Sequence, residues 1–261
     1  MSRTPEIAEA YRLAAEIRTA RKAQSGSRNA ERHFIAFLRG HQAALEPQLT
    51  GERSLFDAFP SSWHDIRLLA DSGLQFYLDR IEEYSLEGWS GDQLPPEFFL
   101  MRNIVTAFLS GTNFGSIAGD YASLTRLEEL VAEEVWTLRR LDDPSVAEAP
   151  AIRRITINAC GLEVFPRQLY KATTLEELSI SYCHNGEYLM YPFFAIPAGI
   201  AQLTRLKVLG LAGIGITNLP PDLLEMTWLE TLNLMGNDLS VGDRARLLAA
   251  LPNTKILLDP A

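Results

Sequence analysis

With 261 residues the chain has room for one or two domains and a sizeable core, and 47% hydrophobic against 22% charged residues is the balance of a globular protein. A net charge of −9 argues against a nucleic-acid partner, which needs a basic face, and leaves room only for a local basic patch. Two cysteines point to a reducing compartment, Met1 to Arg12 lacks the apolar core of a secretory signal, and no apolar stretch reaches the roughly 20 residues a bilayer requires.

The first half reads as helices. Ile7, Tyr11, Ala14 and Ile17 recur at three to four residues, so the spacing predicts a helix from Pro5 to about Gln24, stopped by Ser25-Gly26-Ser27. Phe34, Phe37, Leu38, His41 and Leu45 predict a second helix that ends before Pro47, with His41 at the edge of the core and His33 off the stripe. Ser62-x-x-Asp65 is a cap signal for a third, carrying Ile66, Leu69, Ala70, Phe76, Tyr77, Ile81 and Tyr84 inward and Asp79, Arg80, Glu82 and Glu83 outward. Adjacent carboxylates such as Glu82 and Glu83 diverge by about 100° on a helix, so they do not converge on a substrate.

Gly88 to Pro96 reads as a loop, after which Pro95-Pro96 opens a fourth helix through Phe98, Phe99, Met101, Ile104, Val105, Phe108 and Leu109, buried on nearly all sides. Gly111 to Gly119 is then expected to be a flexible connector. It lacks the Lys-Ser/Thr pair of a phosphate loop, and its serine stands second, not third, in Gly115-Ser116-Ile117-Ala118-Gly119, so it is no nucleophile elbow.

From Ile152 one pattern returns. Ile152-x-x-Ile155-x-Ile157-x-x-Cys160-x-Leu162-x-x-Phe165-Pro166-x-x-Leu169 restarts at Leu175, Leu206 and Leu229, at spacings of 23, 31 and 23 residues. Phe165-Pro166, Ile196-Pro197 and Leu219-Pro220 fall at one place in three successive units, once the 8 extra residues of the second are set aside. A unit of this kind cannot bury its apolar face alone, so neighbours must stack. Leu124, Leu127, Leu130, Ala132 and Val135 fit the opening of an earlier unit, but Trp136 to Pro150 departs from the pattern, which leaves a degenerate repeat or a helix open. After Leu239, Val241 to Leu251 reads as an amphipathic helix, and Ile256 and Leu258 as a last short strand.

This pattern resembles the leucine-rich repeat family, over about residues 124 to 261. The resemblance implies an α/β leucine-rich-repeat solenoid with short parallel strands on its concave face, here preceded by an all-α N-terminal domain. The expected domains are 1–120, helical and acting as a cap, and 121–261, the repeats with a C-terminal cap. In the family the ninth position holds an inward Asn or Cys that satisfies backbone groups, so the resemblance implies structural thiols at Cys160 and Cys183. His184 follows Cys183, but neighbours on an extended chain face opposite sides, so no thiol and base pair is expected.

The residues between the inward leucines face the open side of the sheet. Arg154, Thr156, Asn158, Glu177, Ser179, Ser181 and Tyr182 form its polar part, followed by Val208, Gly210, Ala212, Thr231, Asn233 and Met235. The insertion within His184 to Ala195 adds Tyr188, Tyr191, Phe193 and Phe194, too apolar to stand free in water, and the small Gly210, Ala212 and Gly213 offer it a resting place. The expectation is a non-enzymatic scaffold that binds a protein or peptide through this face and the aromatic insertion. It carries no cofactor, metal, catalytic group, nucleic-acid partner or membrane insertion, and it is cytoplasmic. The alternative is a bacterial effector or enzyme, exported into a host cell, whose helical domain acts and whose repeats select the substrate, as in effector ubiquitin ligases; residues 1–150 contain no cysteine for such a ligase.

Overall fold

The computed structural model describes all residues except 1–3, 25, 50–54, 56–58, 61, 87–90, 142–144, 184–195 and 261. The chain divides into two compact units, Met1–Glu83 with Pro95–Ile104, and Tyr84–Leu94 with Val105–Ala261.

The first unit is built from helices. Helix α1, Pro5–Lys22, has Pro5 in its first turn and Thr4 as its cap, the hydroxyl accepting from the Ile7 amide at 3.5 Å. It buries Ile7, Ala10, Leu13, Ala14 and Ile17. The expected second helix is broken in two, α2 (Arg28–Gly40) and α3 (Gln42–Leu45). His41 makes the break: its φ of −121° leaves the helix, its Nδ1 stands 2.9 Å from the Phe37 carbonyl, and its ring stacks on Phe37 at 4.3 Å. It is exposed, so the core-edge reading of His41 is corrected.

Helix α4, Trp63–Asp71, starts where the cap signal placed it, with Ser62 accepting from the Asp65 amide at 3.3 Å. It ends sooner than its apolar spacing implies. Gly73, at φ +72°, reverses the chain; its amide donates to the Ala70 carbonyl and that of Leu74 to the Leu69 carbonyl, the paired bonds of a Schellman stop. A single turn follows as α5, Gln75–Leu78, and residues 83 to 85 are strand, so Glu82 and Glu83 lie on no helix. Phe34, Phe59 and Tyr77 form the centre, with ring centroids 4.9 and 6.0 Å apart, and the Tyr77 hydroxyl donates to the Phe59 carbonyl at 2.8 Å.

Arg21 of α1 forks onto Asp65 of α4 at 2.5 and 2.7 Å and reaches Glu31 of α2 at 2.8 Å. Asp65 is fully buried. Burial raises the Glu31 carboxyl, but the Ser27 hydroxyl and the Arg21 guanidinium outweigh it and hold the group below its ordinary range.

The second unit contains an eight-stranded parallel sheet in chain order. Its strands are β1 (Glu83–Ser85), β2 (Thr106–Phe108), β3 (Glu129–Glu133), β4 (Arg154–Asn158), β5 (Glu177–Ser181), β6 (Val208–Gly210), β7 (Thr231–Asn233) and β8 (Lys255–Leu257). Parallel neighbours need a crossover, and short 3-10 turns supply it at Tyr121–Ser123, Val146–Glu148, Arg167–Lys171, Ile200–Gln202 and Pro221–Glu225. The register keeps every unit in phase: Leu130, Ile155, Leu178, Leu209 and Leu232 lie side by side and point inward, and the half-buried Ile256 continues the row. Leu127 to Pro150 is thus a repeat with a strand, not a helix.

Two readings of the preceding stretch are overturned. Phe98 to Leu109 is not one buried helix: Pro96–Leu100 makes a 3-10 turn and Thr106–Phe108 a strand. Gly111 to Gly119 is no flexible connector, because Thr112, Phe114 and Ile117 within it are buried. Ile104, Ala107, Leu109, Thr112, Phe114, Ile117 and Tyr121 occupy the positions of Ile152, Ile155, Ile157, Cys160, Leu162, Phe165 and Leu169, and Ile104 precedes Leu127 by 23 residues. The same frame reaches back 23 more, with Ile81, Leu86, Leu94, Phe98 and Met101 all buried. At the other end Ser240 caps helix α6, Val241–Ala250, before β8 closes the sheet as expected.

Candidate functional site

The turn that follows each strand sets the edge of the open face. A left-handed residue recurs at the eighth position of six units, as Gly111, Glu134, Ala159, Tyr182, Gly213 and Gly236, with φ between 51° and 71°. Its amide donates sideways to the next unit: Gly111 to Glu133, Glu134 to Asn158, Ala159 to Ser181, Tyr182 to Ala212 and Gly213 to Met235, at 2.8 to 3.0 Å. Gly236 has no further unit of this kind, and its amide donates instead to the Asp259 carboxylate at 2.6 Å. Arg244 of α6 holds the Asp259 carbonyl at 2.8 Å, so the ladder is finished by the C-terminal segment.

Beneath each turn the ninth residue points inward. Asn237 Nδ2 donates to the Leu211 and Leu234 carbonyls at 2.7 and 2.9 Å, while its Oδ1 accepts from the Ile216 amide at 2.9 Å. Cys160 and Cys183 hold the equivalent place, buried and unoxidised, with Cys160 Sγ 3.4 Å from the Ala132 carbonyl and Cys183 Sγ 3.6 Å from that of Ile157. The neighbouring Cys183 thiol and then burial push the Cys160 thiol well above its ordinary value, while the same contact lowers that of Cys183.

The outward residues form rows across the strands. One reads Thr106, Glu129, Arg154, Glu177, Val208, Thr231 and Lys255; the next reads Phe108, Val131, Thr156, Ser179, Gly210, Asn233 and Leu257. In the first row Arg154 pairs with Glu129 at 3.2 Å, and that contact raises the guanidinium's affinity for its proton. In the second row side chains shrink from Phe108 to Gly210, where a β-carbon would stand 2.7 Å from Ser179 Oγ. Asn158 lies between Glu133 and Ser181, and its Oδ1 is a buried acceptor with no donor among the described residues. Such an acceptor carries a desolvation cost until a donor reaches it.

Tyr182 stands at the edge of this surface, 55% exposed, with a φ of +54° that a bulky side chain rarely adopts. Its ring rests on the backbone of the next turn, since a β-carbon at Gly213 would lie 2.5 Å from Cδ1 and 2.8 Å from Cε1. Gly236 comes next, its would-be β-carbon 3.2 Å from the Gly213 Cα. One face of the ring is therefore fixed on glycine backbone while the other is open.

The sequence-expected residues Arg154, Thr156, Asn158, Glu177 and Ser179 come together on the open face, with Tyr182 at its margin. Ser181 is only 7% exposed and lies 3.2 Å from Ser179 through its hydroxyl, so it supports the face more than it presents one. Tyr188, Tyr191, Phe193, Phe194 and His184 lie outside the described residues. What covers Gly213 is the Tyr182 ring, and Ala212 is itself buried. Thr106, Phe108, Glu129, Val131 and Glu133 belong to the same face and were missed, because their strands were hidden in the supposed helix and degenerate unit; the 23-residue spacing from Ile104 to Leu127 was the signal that could have found them. Among the described residues no three His, Cys, Asp or Glu side chains gather as metal ligands, and no helix is long and apolar enough to cross a membrane.

No protein-family model matches the chain. No curated protein matches it in sequence either. Solved structures do match. A leucine-rich repeat protein of Leptospira interrogans superposes with a TM-score of 0.50 at 20% identity, over 70% of this chain and 50% of that one. Internalin C2 of Listeria monocytogenes gives 0.52 at 16% identity, over 77% and 86% of the two chains, and human 5T4, the trophoblast glycoprotein, gives 0.52 at 20%, over 69% of each. The fold is a leucine-rich-repeat solenoid. At these identities the likeness concerns the fold alone, and the chain spans half the length of the Leptospira protein. Within the leucine-rich repeats of this chain, the Asn and Cys side chains of the ninth position lie inward beneath the turns, and the polar rows lie outward on the sheet.

Proposed function

We propose that the chain is a non-enzymatic interaction scaffold whose concave sheet binds a protein or an extended peptide. Tyr182 carries this reading. The repeat's turn imposes a left-handed backbone at this position, as it does on Glu134 and Ala159, and of these three residues Tyr182 alone carries an aromatic ring. Here it presents an open aromatic face, and tyrosine is a frequent anchor of protein interfaces. Thr156 and Ser179 lie on the same face, and with Arg154 further along it they offer donors and acceptors to a partner's polar groups. The likeness to leucine-rich repeat proteins supports an interaction role in general.

The test is a quantitative pull-down with the full chain, run beside Tyr182→Ala and Ser179→Arg. A protein retained on the parent chain and lost on both variants, at unchanged melting behaviour, supports the reading. Equal capture by all three, or turnover of a substrate that depends on the helical unit, overturns it.

A further inference from the structure

A second surface, within the helical unit, has the chemistry of an anion site. Helix α2 carries Arg28, Arg32, Ala36 and Arg39 at spacings of three to four residues, which places them on one side of the helix. That side and the facing side of α4, through His64 and Leu68, line an open cleft of about 410 Å³. This volume lies within the usual range for small-molecule sites.

The charge in the cavity is unusual for a chain with a net charge of −9. Three arginines line it against one carboxylate, Glu31, and that carboxylate is already engaged by Arg21 and by the Ser27 hydroxyl. Arg28 and Arg32 are exposed and have no ion-pair partner among the described residues. Arg39 is held in place, its Nε and Nη2 donating to the Ser72 carbonyl at 2.9 and 2.7 Å, which leaves the rest of its guanidinium free to donate. The wall between these cations is apolar: Ile35 is buried, and Leu68 is half-buried.

Guanidinium forks match carboxylate and phosphate oxygens in pairs, and a low-polarity wall beside them strengthens that attraction. We infer that the cleft between α2 and α4 binds a small organic oxyanion, a phosphate or carboxylate head carried on an apolar body, with Arg28, Arg32 and Arg39 on the head and Ile35 and Leu68 against the body. This site is separate from the concave-sheet reading, and either can fail without the other.

The full chain is titrated calorimetrically with phenyl phosphate, benzoate, inorganic phosphate and benzyl alcohol, and the titrations are repeated with Arg28→Gln/Arg32→Gln. Both substitutions are at exposed positions without partners, so the fold is expected to persist, and a far-UV spectrum with a melting curve verifies it. Phenyl phosphate or benzoate should bind more tightly than inorganic phosphate or benzyl alcohol, and the better of the two names the head group. The double variant should weaken that binding by about tenfold or more, as expected for the loss of a charged hydrogen bond. No heat from either organic anion up to about 10 mM, well above a millimolar constant, overturns the site. So does equal binding by the folded double variant, or binding of polyglutamate without binding of either small anion.

Discussion

The ring of Tyr182 and the Cα of Gly213 are in contact across two adjacent repeats, and the contact exists because residue 213 has no side chain. Gly213→Ala should therefore meet two penalties, a left-handed alanine and a displaced ring. The expected loss is at least about 2 kcal/mol in chemical denaturation. In a Tyr182→Ala background the same change should cost only about 1 kcal/mol. Additive losses in the double variant would show that the ring does not rest there.

Asn237→Ala strands two carbonyls and one amide in the core, those of Leu211, Leu234 and Ile216. A loss of about 3 kcal/mol is expected, measured as a shift in urea midpoint at constant slope. Cys160→Ser should be milder, about 1 kcal/mol, because the Ala132 and Asn158 carbonyls, each 3.4 Å from Sγ, can accept from the new hydroxyl. A reversed order would mean that the ninth position does not satisfy the turns.

Both thiols are buried, and the Cys160 thiol is held above its ordinary value. A thiol reagent should label the native chain slowly and the unfolded chain at once. Rapid native labelling of Cys160 would contradict its inward placement.

Arg21→Ala should destabilise the chain by about 3 kcal/mol, because it removes the forked ion pair from the fully buried Asp65. The same cluster sets a pH dependence through Glu31, whose carboxyl is held below its ordinary range. A group of this kind stabilises the fold above its unfolded value, near 4.3, and that contribution fades as pH falls through the lower folded value. The urea midpoints of the parent chain and Glu31→Gln should therefore differ at about pH 6 and converge as the pH falls below the ordinary carboxylate range. A difference that grows on acidification would carry the wrong sign.

What could be read from the chain depended on which signals compete. The repeats from Ile152 onward are legible because inward residues, turn residue and proline recur in phase. Ile81 to Arg126 keeps the same frame, but Phe98, Met101 and Ile104 are three residues apart and imitate a helix until Ala107 and Leu109 switch to alternation. Gly73 reverses the chain, yet Phe76 and Tyr77 continue the apolar stripe beyond it, so local periodicity hides the reversal. The polar face followed from strand alternation. Tyr182's contact did not, since it depends on a left-handed turn that glycine marks at positions 111, 213 and 236 and that Glu134, Ala159 and Tyr182 adopt without the marker.

The proposal that the concave sheet is the binding surface is tested most directly by site-specific photocrosslinking in the full chain within its native cells. A photoreactive residue at Thr156 or Tyr182, on the open face, is compared with one at Val164, which is 56% exposed in a turn outside the strands. One discrete protein adduct at 156 and 182, absent at 164, is the predicted result. Adduct formation at 164 alone, or none at either sheet position, would contradict it.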